Sequence, residues 1–370
     1  MSRNVQGLRF VAAFWVAIYH LNLLFGLGVE QPWVQALVRS GYAGVDIFFV
    51  ISGYIMALTT AGARSGTSNA GHFLSQRLAR IYCGWWPFFL LYLVLAIAGG
   101  GPDPQVRLLQ SFFLWPTLLP HHLLPIAWTL SFELFFYTCT AAVLLWSRRR
   151  AWLVMLAWAA VVLVLNAIWI AQGRYHPDRV ADITIGLWFF FYPLTLEFIA
   201  GFLLHELMAR QPSLRWGPWL ASAALFAIAI ALYQQLGVFH PSGLAGLYHA
   251  PERALLWGGF SVCLVAAAVR LEGAGKTPLA WARRLGDASY SIYLGHILLI
   301  QLFLRAHASL GLSTWPKPLL ALLVLAAIVV LLQLYYLAIE RPLYVTARKG
   351  ISRLFGAAGL EREPIGVVPR

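Results

Sequence analysis

Charge is what this sequence has least of. Lysine, arginine, aspartate and glutamate make up 11 % of its 370 residues, 60 % are hydrophobic, and the mean hydropathy is +0.72. Soluble domains carry about 25 % charged residues, so an ordinary soluble domain is excluded. Cysteine is sparse as well. Cys83, Cys139 and Cys263 are scattered, odd in number and mostly set in apolar runs, so neither a disulfide framework nor a metal site is expected. No phosphate-cradling glycine loop, metal-ligand cluster or Gly-x-Ser-x-Gly elbow is present, which leaves ATPase and hydrolase readings without support. Period-two alternation of the β-barrel kind is also missing, so the apolar runs read as helices.

What is there instead is a series of apolar runs of about 20 residues, each long enough to cross a bilayer. Ten candidate spans fall at about 8–27, 44–61, 81–99, 124–146, 152–171, 186–207, 218–236, 254–270, 288–307 and 318–339. The first holds Arg9 and His20 and is not followed by a small-residue cleavage site, so it reads as a helix and not as a secretion signal. Connectors are short and polar or rich in Gly and Pro, as in Gly99-Gly-Gly-Pro-Asp-Pro104. No appended soluble domain and no strong internal repeat is visible. With the N-terminus placed in the cytoplasm, 20 of the 27 basic residues fall on the cytoplasmic side. That bias is expected of cytoplasmic loops, and it supports ten helices with both termini inside. The net charge of +13 is explained the same way; without a basic–aromatic soluble domain, nucleic acid is not an expected partner.

Ionisable groups at membrane depth are costly and usually functional. Arg9 and His20 are eleven positions apart, almost three helical turns, so they project from nearly one face about 16 Å apart along the axis. Such a line suits an elongated anionic donor with its reactive end inward. His20 reads either as an interior hydrogen-bonding group or as a base for acyl transfer to an alcohol. Arg77 and Arg80, three apart, are neighbours on one helix. They read as a positive-inside anchor or, with Arg9, as three cations for one polyphosphate. Glu133 shares a face with Thr129 and Tyr137 and is either a structural partner for an arginine or a catalytic group. Asp46 opens the second span, as an interface cap or as the group that orients His20 or the acceptor. Ser52-Gly53 suggests close helix packing. Glu197, His205 and His296 read as packing or helix-pairing groups, and Glu340-Arg341-Pro342 as a helix stop with a local ion pair.

Taken together, several motifs resemble the acyltransferase-3 family of bacterial inner-membrane proteins, which O-acylate extracytoplasmic polysaccharides. They are Asn4-Val-Gln-Gly-Leu-Arg9 with Tyr19-His20, Gly44-Val-Asp-Ile-Phe-Phe-Val-Ile-Ser-Gly-Tyr54, Arg77-Leu-Ala-Arg-Ile-Tyr82, Trp128-Thr-Leu-Ser-Phe-Glu133 and Tyr290-Ser-Ile-Tyr-Leu-Gly-His296. The match runs in order over nearly the whole chain and looks like the exopolysaccharide O-acetyltransferase branch. The resemblance implies a fold of about ten helices, an all-α transmembrane bundle; the chain is expected to divide into a transmembrane acyltransferase domain over 1–345 and a short basic cytoplasmic tail over 346–370. The resemblance also implies acetyl-CoA as donor; the missing metal-ligand cluster leaves no metal expected. Arg9 and His20 match the family's Arg-x10-His pair, Arg77 and Arg80 its Arg-x-x-Arg, and Glu133 the acid after Trp-Ser/Thr-Leu-Ser. Many members carry a second Glu where this chain has Leu134, and a Pro where it has Cys83.

The expected chemistry follows from this. Arg77, Arg80 and Arg9 hold the phosphates of acetyl-CoA, and the pantetheine arm runs along the first helix toward His20. His20, oriented by Asp46 or Glu133, takes the proton of a sugar hydroxyl on a polysaccharide or lipid-linked oligosaccharide. Direct transfer and an acyl-His20 intermediate both satisfy the sequence. Membrane lipids and polysaccharide-biosynthesis proteins are the other expected partners. The competing class is a transporter of an acyl group or lipid-linked sugar, with His20 and Glu133 as a relay; the paired broken helices that would favour it are not seen.

Overall fold

The computed structural model describes residues 2–117, 119–173, 190–235, 251–278 and 280–355. In lipid every backbone polar group must be satisfied within its own segment, and the apolar runs accordingly fold as helices. These are α1 (Arg3–Phe25), α2 (Pro32–Arg39), α3 (Gly44–Thr60), α4 (Thr67–Ala98), α5 (Leu108–Phe112), α6 (Trp128–Trp146), α7 (Ala151–Ala171), α8 (Thr195–Arg210), α9 (Trp216–Gln235), α10 (Pro251–Gly273), α11 (Ala280–Asp287), α12 (Ser289–Ser309), α13 (Lys317–Tyr335) and α14 (Arg341–Leu354). There is no strand among the described residues. Among the described residues nine segments are long and apolar enough to cross a membrane, which makes this a multi-pass membrane protein. The remaining expected span, 186–207, coincides with α8, which is 16 residues long; its first four expected residues lie outside the described ones.

Burial sorts the helices into an inner and an outer set. Of the most apolar window in Pro32–Thr60, 78 % is buried, against 11 % in α9. Helix α3 is therefore central, while α9 turns Leu225, Ile228 and Leu232 outward toward lipid. Lipid tails are as apolar as leucine, so inner helices associate by close packing and not by the hydrophobic effect. Gly53 and Gly201 show how. A methyl group on Gly53 would overlap the Phe198 carbonyl, and one on Gly201 would overlap the Val50 carbonyl. The backbones of α3 and α8 touch where these residues have no side chain, as expected of Ser52-Gly53.

One helix and one continuous helical run among the described residues exceed the roughly 30 Å hydrocarbon core by half or more. Helix α4 has 32 residues, and the run from α13 through α14 has 38. At 1.5 Å per residue these span about 48 and 57 Å. They pack against each other beside Arg77 and Arg80. Between α13 and α14 the helix widens into a π turn at Tyr336–Glu340, which leaves Glu340 wholly buried. The expected tail begins inside α14, and its residues from 356 on lie outside the described ones. Arg148, counted in the sequence as a topological cation, is buried. It donates to the Ala57 and Thr60 carbonyls that end α3 and pairs with Glu206 at 2.6 Å.

Candidate active site

Helices α1, α3, α4, α6 and α12 line a cavity of about 80 Å³ that is partly open to its surroundings. Its walls carry Arg9, Arg77, Arg80, Glu133, Thr129, Tyr137, Ser52, Tyr290 and Tyr293. Four of the six expected site residues, from three different helices, therefore share one space. The i, i+4, i+8 face of α6 seen in the sequence points into it.

The three arginines differ in how they are held. The Arg77 guanidinium donates to Thr59 Oγ1 at 2.9 Å and lies over the rings of Phe73 and Tyr137. Arg80 pairs with Glu340 at 2.5 Å and is flanked by Tyr290 and Tyr344. Glu340 also accepts a hydrogen bond from Ser291. Glu340 is thus not a local helix-stop partner of Arg341; the π turn rotates it inward to neutralise Arg80. Arg9 has no hydrogen bond or ion pair among the described residues, and Arg80, Glu133, Tyr137 and Glu340 form its electrostatic surroundings. Glu133 accepts from Ser52 Oγ at 3.1 Å and from Tyr137 Oη at 3.0 Å. With all groups ionised, three arginines face two carboxylates, so the cavity is net cationic. Guanidinium forks of this kind suit phosphate and carboxylate oxygens.

His20 lies elsewhere. Its Nδ1 is 3.0 Å from the Val16 carbonyl and 3.1 Å from His296 Nε2, and the two rings are 5.0 Å apart. Neither histidine lines the cavity. The link is Tyr293, which is on the cavity wall and whose ring centre is 6.0 Å from that of His296. The Tyr293 hydroxyl accepts from Thr129 at 3.0 Å and donates to the Ile126 carbonyl at 3.2 Å.

The expectation that Asp46 or Glu133 orients His20 meets a different arrangement. Asp46 is fully buried in a forked ion pair with Arg253, Nε to Oδ1 at 2.9 Å and Nη2 to Oδ2 at 2.6 Å, with Tyr42 under the guanidinium. Glu197 is the buried electrostatic neighbour of both. Glu133 bonds within the cavity. The imidazole partner is His296, which the motif Tyr290-Ser-Ile-Tyr-Leu-Gly-His296 contains but which reads there as a packing group. Arg253 was visible in the sequence only as one more cation, because its partner is 207 residues away.

The exopolysaccharide production protein ExoZ of Rhizobium meliloti (strain 1021) is 33 % identical, over 85 % of this chain and 92 % of its own length. The putative membrane-bound transacylase BcsY of Komagataeibacter xylinus is 25 % identical over 92 % of this chain and 82 % of its own. Protein 2 in the picA locus of Rhizobium radiobacter is 34 % identical over 25 % of this chain and 43 % of its own length. No solved structure matches. The acyltransferase domain family model matches residues 3–337, nearly the whole length, and the chain belongs to that family.

Proposed function

We propose that this protein is an O-acetyltransferase of the bacterial inner membrane. It moves an acetyl group from cytoplasmic acetyl-CoA to a sugar hydroxyl of an extracytoplasmic polysaccharide or its lipid-linked precursor. The reading rests on family membership, and on relatives whose names speak of exopolysaccharide production and membrane-bound transacylation. The observation that carries it is Arg9: a guanidinium on a cavity wall that Arg77 also lines, without a hydrogen-bond or ion-pair partner among the described residues. A half-buried cation without a protein partner bears part of its desolvation cost, and an anionic ligand would offset it.

In this reading both termini are cytoplasmic, and Arg9 and Arg77 take the donor's phosphates. Arg80 contributes less, because Glu340 already neutralises it. The acyl end of the donor points along the cavity toward Tyr293 and the histidine pair. There His20 accepts the proton of the acceptor hydroxyl, and the oxygen attacks the thioester carbon. A C–O bond forms, the C–S bond breaks, and the departing thiolate takes the proton back from the imidazolium. Holding donor and acceptor together supplies much of the acceleration, and general-base help adds typically 10²- to 10⁴-fold. Tyr293 stands between the cavity and the histidines, so its ring must turn, or the thioester must lodge beside it, for the reacting atoms to meet.

The test is direct. Purified protein in vesicles, given labelled acetyl-CoA and polysaccharide, should yield labelled polymer, and His20→Ala should abolish labelling while the protein stays folded. Full labelling by His20→Ala removes His20 from the chemistry. No labelling with any acyl-CoA or acceptor, together with uptake of solute into the vesicles, would favour a transporter.

A further inference from the structure

We propose that His296 is a positioning residue that sets the tautomer of His20, leaving His20 Nε2 as the atom that takes the acceptor proton; this rests on the acyl-transfer reading above. Three contacts carry it. His296 Nδ1 is 3.1 Å from the Ile292 carbonyl, four residues back on α12. A carbonyl only accepts, so that nitrogen bears the hydrogen, and in a neutral ring the other nitrogen is then a lone-pair acceptor. That acceptor, His296 Nε2, is 3.1 Å from His20 Nδ1. His20 Nδ1 also faces the Val16 carbonyl at 3.0 Å, four residues back on α1. Both of its neighbours accept, so His20 Nδ1 bears a hydrogen shared between them. Its Nε2 is left with a free lone pair and has no hydrogen-bond partner among the described residues.

The chain therefore reads Ile292 C=O, His296 Nδ1–H, His296 Nε2, His20 Nδ1–H, His20 Nε2. The opposite tautomer of either ring would set two lone pairs against each other at about 3 Å. Both histidines are anchored by their own helices, and His296 is completely buried. The carboxylate that orients an imidazole in many hydrolytic sites is replaced here by a second, neutral imidazole. When His20 becomes an imidazolium, the His296 lone pair is already aimed at its Nδ1–H, so the charge that develops in the transition state meets an acceptor without reorganisation. The ring contacts around the pair are aromatic: Tyr19 packs on His20 at 4.9 Å and Tyr293 on His296 at 6.0 Å. The carboxylates nearest in the sequence motifs are engaged elsewhere, Asp46 by Arg253 and Glu133 by Ser52 and Tyr137.

The experiment uses the full-length protein in vesicles with acetyl-CoA and polysaccharide, and compares His296→Leu, His296→Gln and His20→Ala. Leucine fills the site without an acceptor, whereas the glutamine carbonyl stands near the place of Nε2. His296→Leu should lower turnover at saturating donor by about 10- to 100-fold, the range seen when the hydrogen-bond partner behind a metal-bound histidine is removed. The KM for acetyl-CoA should stay within about twofold, and His296→Gln should recover most of the rate. Wild-type turnover in His296→Leu, with His20→Ala inactive, overturns the tautomer role alone. Full turnover in His20→Ala overturns the base that both proposals share. A readout independent of any variant's folding is ¹⁵N NMR of histidine-labelled wild-type protein in bilayers. The hydrogen-bearing nitrogen of His20 should be Nδ1, and a hydrogen-bearing Nε2 at neutral pH would refute the assignment.

Discussion

Arg9 and Arg80 line the same cavity and are both arginines at the same end of the bundle, yet their removal should have opposite signatures. Arg80 is one half of a buried ion pair. Its partner Glu340 has 0 % exposure and is held between Arg80 and Ser291. Deleting one member of such a pair leaves an uncompensated buried charge, which costs about 3–5 kcal/mol. Arg80→Ala should therefore lower thermal stability markedly, and adding Glu340→Gln should return most of the loss. Arg9 has no protein partner among the described residues, so Arg9→Ala removes a repulsive neighbour of Arg80 and should leave the melting temperature close to wild type. Its cost should appear in donor binding. A hydrogen bond to a charged group contributes about 1.5–3 kcal/mol, so Arg9→Ala should weaken acetyl-CoA binding about 10- to 150-fold. The assay pairs thermal unfolding of the detergent-solubilised variants with equilibrium binding of labelled acetyl-CoA at fixed ionic strength. Unchanged donor affinity in Arg9→Ala would refute the donor site. An unaltered melting temperature in Arg80→Ala would refute the ion-pair argument.

Two further predictions follow from groups outside that contrast. Asp46→Ala should destabilise the fold by about 3–5 kcal/mol by stranding Arg253, and pairing it with Arg253→Met should recover stability and, with it, transfer activity; a double variant that is stable yet inactive would give Asp46 a direct part in the chemistry. His122, in the connector between α5 and α6, is 2 % exposed, and burial, with a smaller effect of the neighbouring His121, pushes it from its ordinary 6.5 down to about 4. Between these values the unfolded state binds the proton and the folded state does not, so stability falls as pH drops through about 6.5 and on toward 4. From pH 7 to 5 the loss should be about 2 kcal/mol, seen as a lower melting temperature that His122→Phe abolishes; equal acid sensitivity in that variant would refute the assignment.

Much of this architecture is written in local pattern. A run of some 20 apolar residues can cross a bilayer only as a helix, so the all-α class and the position of nearly every span follow from hydropathy alone. Periodicity within one helix is equally legible. Thr129, Glu133 and Tyr137 were placed on one face by spacing, and they line one cavity wall. The Arg9, Arg77 and Arg80 cluster needed only helix geometry plus the charge bias of the connectors. Gly53 in a small-residue pair signalled a close helix approach.

Pairings between distant segments were not legible, because the partner of a buried charge is chosen by packing and not by sequence distance. Asp46 is an N-terminal helix residue by pattern, and its fork with Arg253 arises because α3 and α10 pack side by side. Glu340 follows the pattern of a helix end, and the π turn directs it to Arg80. His20 and His296 are 276 residues apart, and only the docking of α1 against α12 makes them neighbours. Local spacing therefore selected which side chains are present at membrane depth, whereas the packing of helices remote in sequence decided which of them are neutralised and which remain free to bind or react.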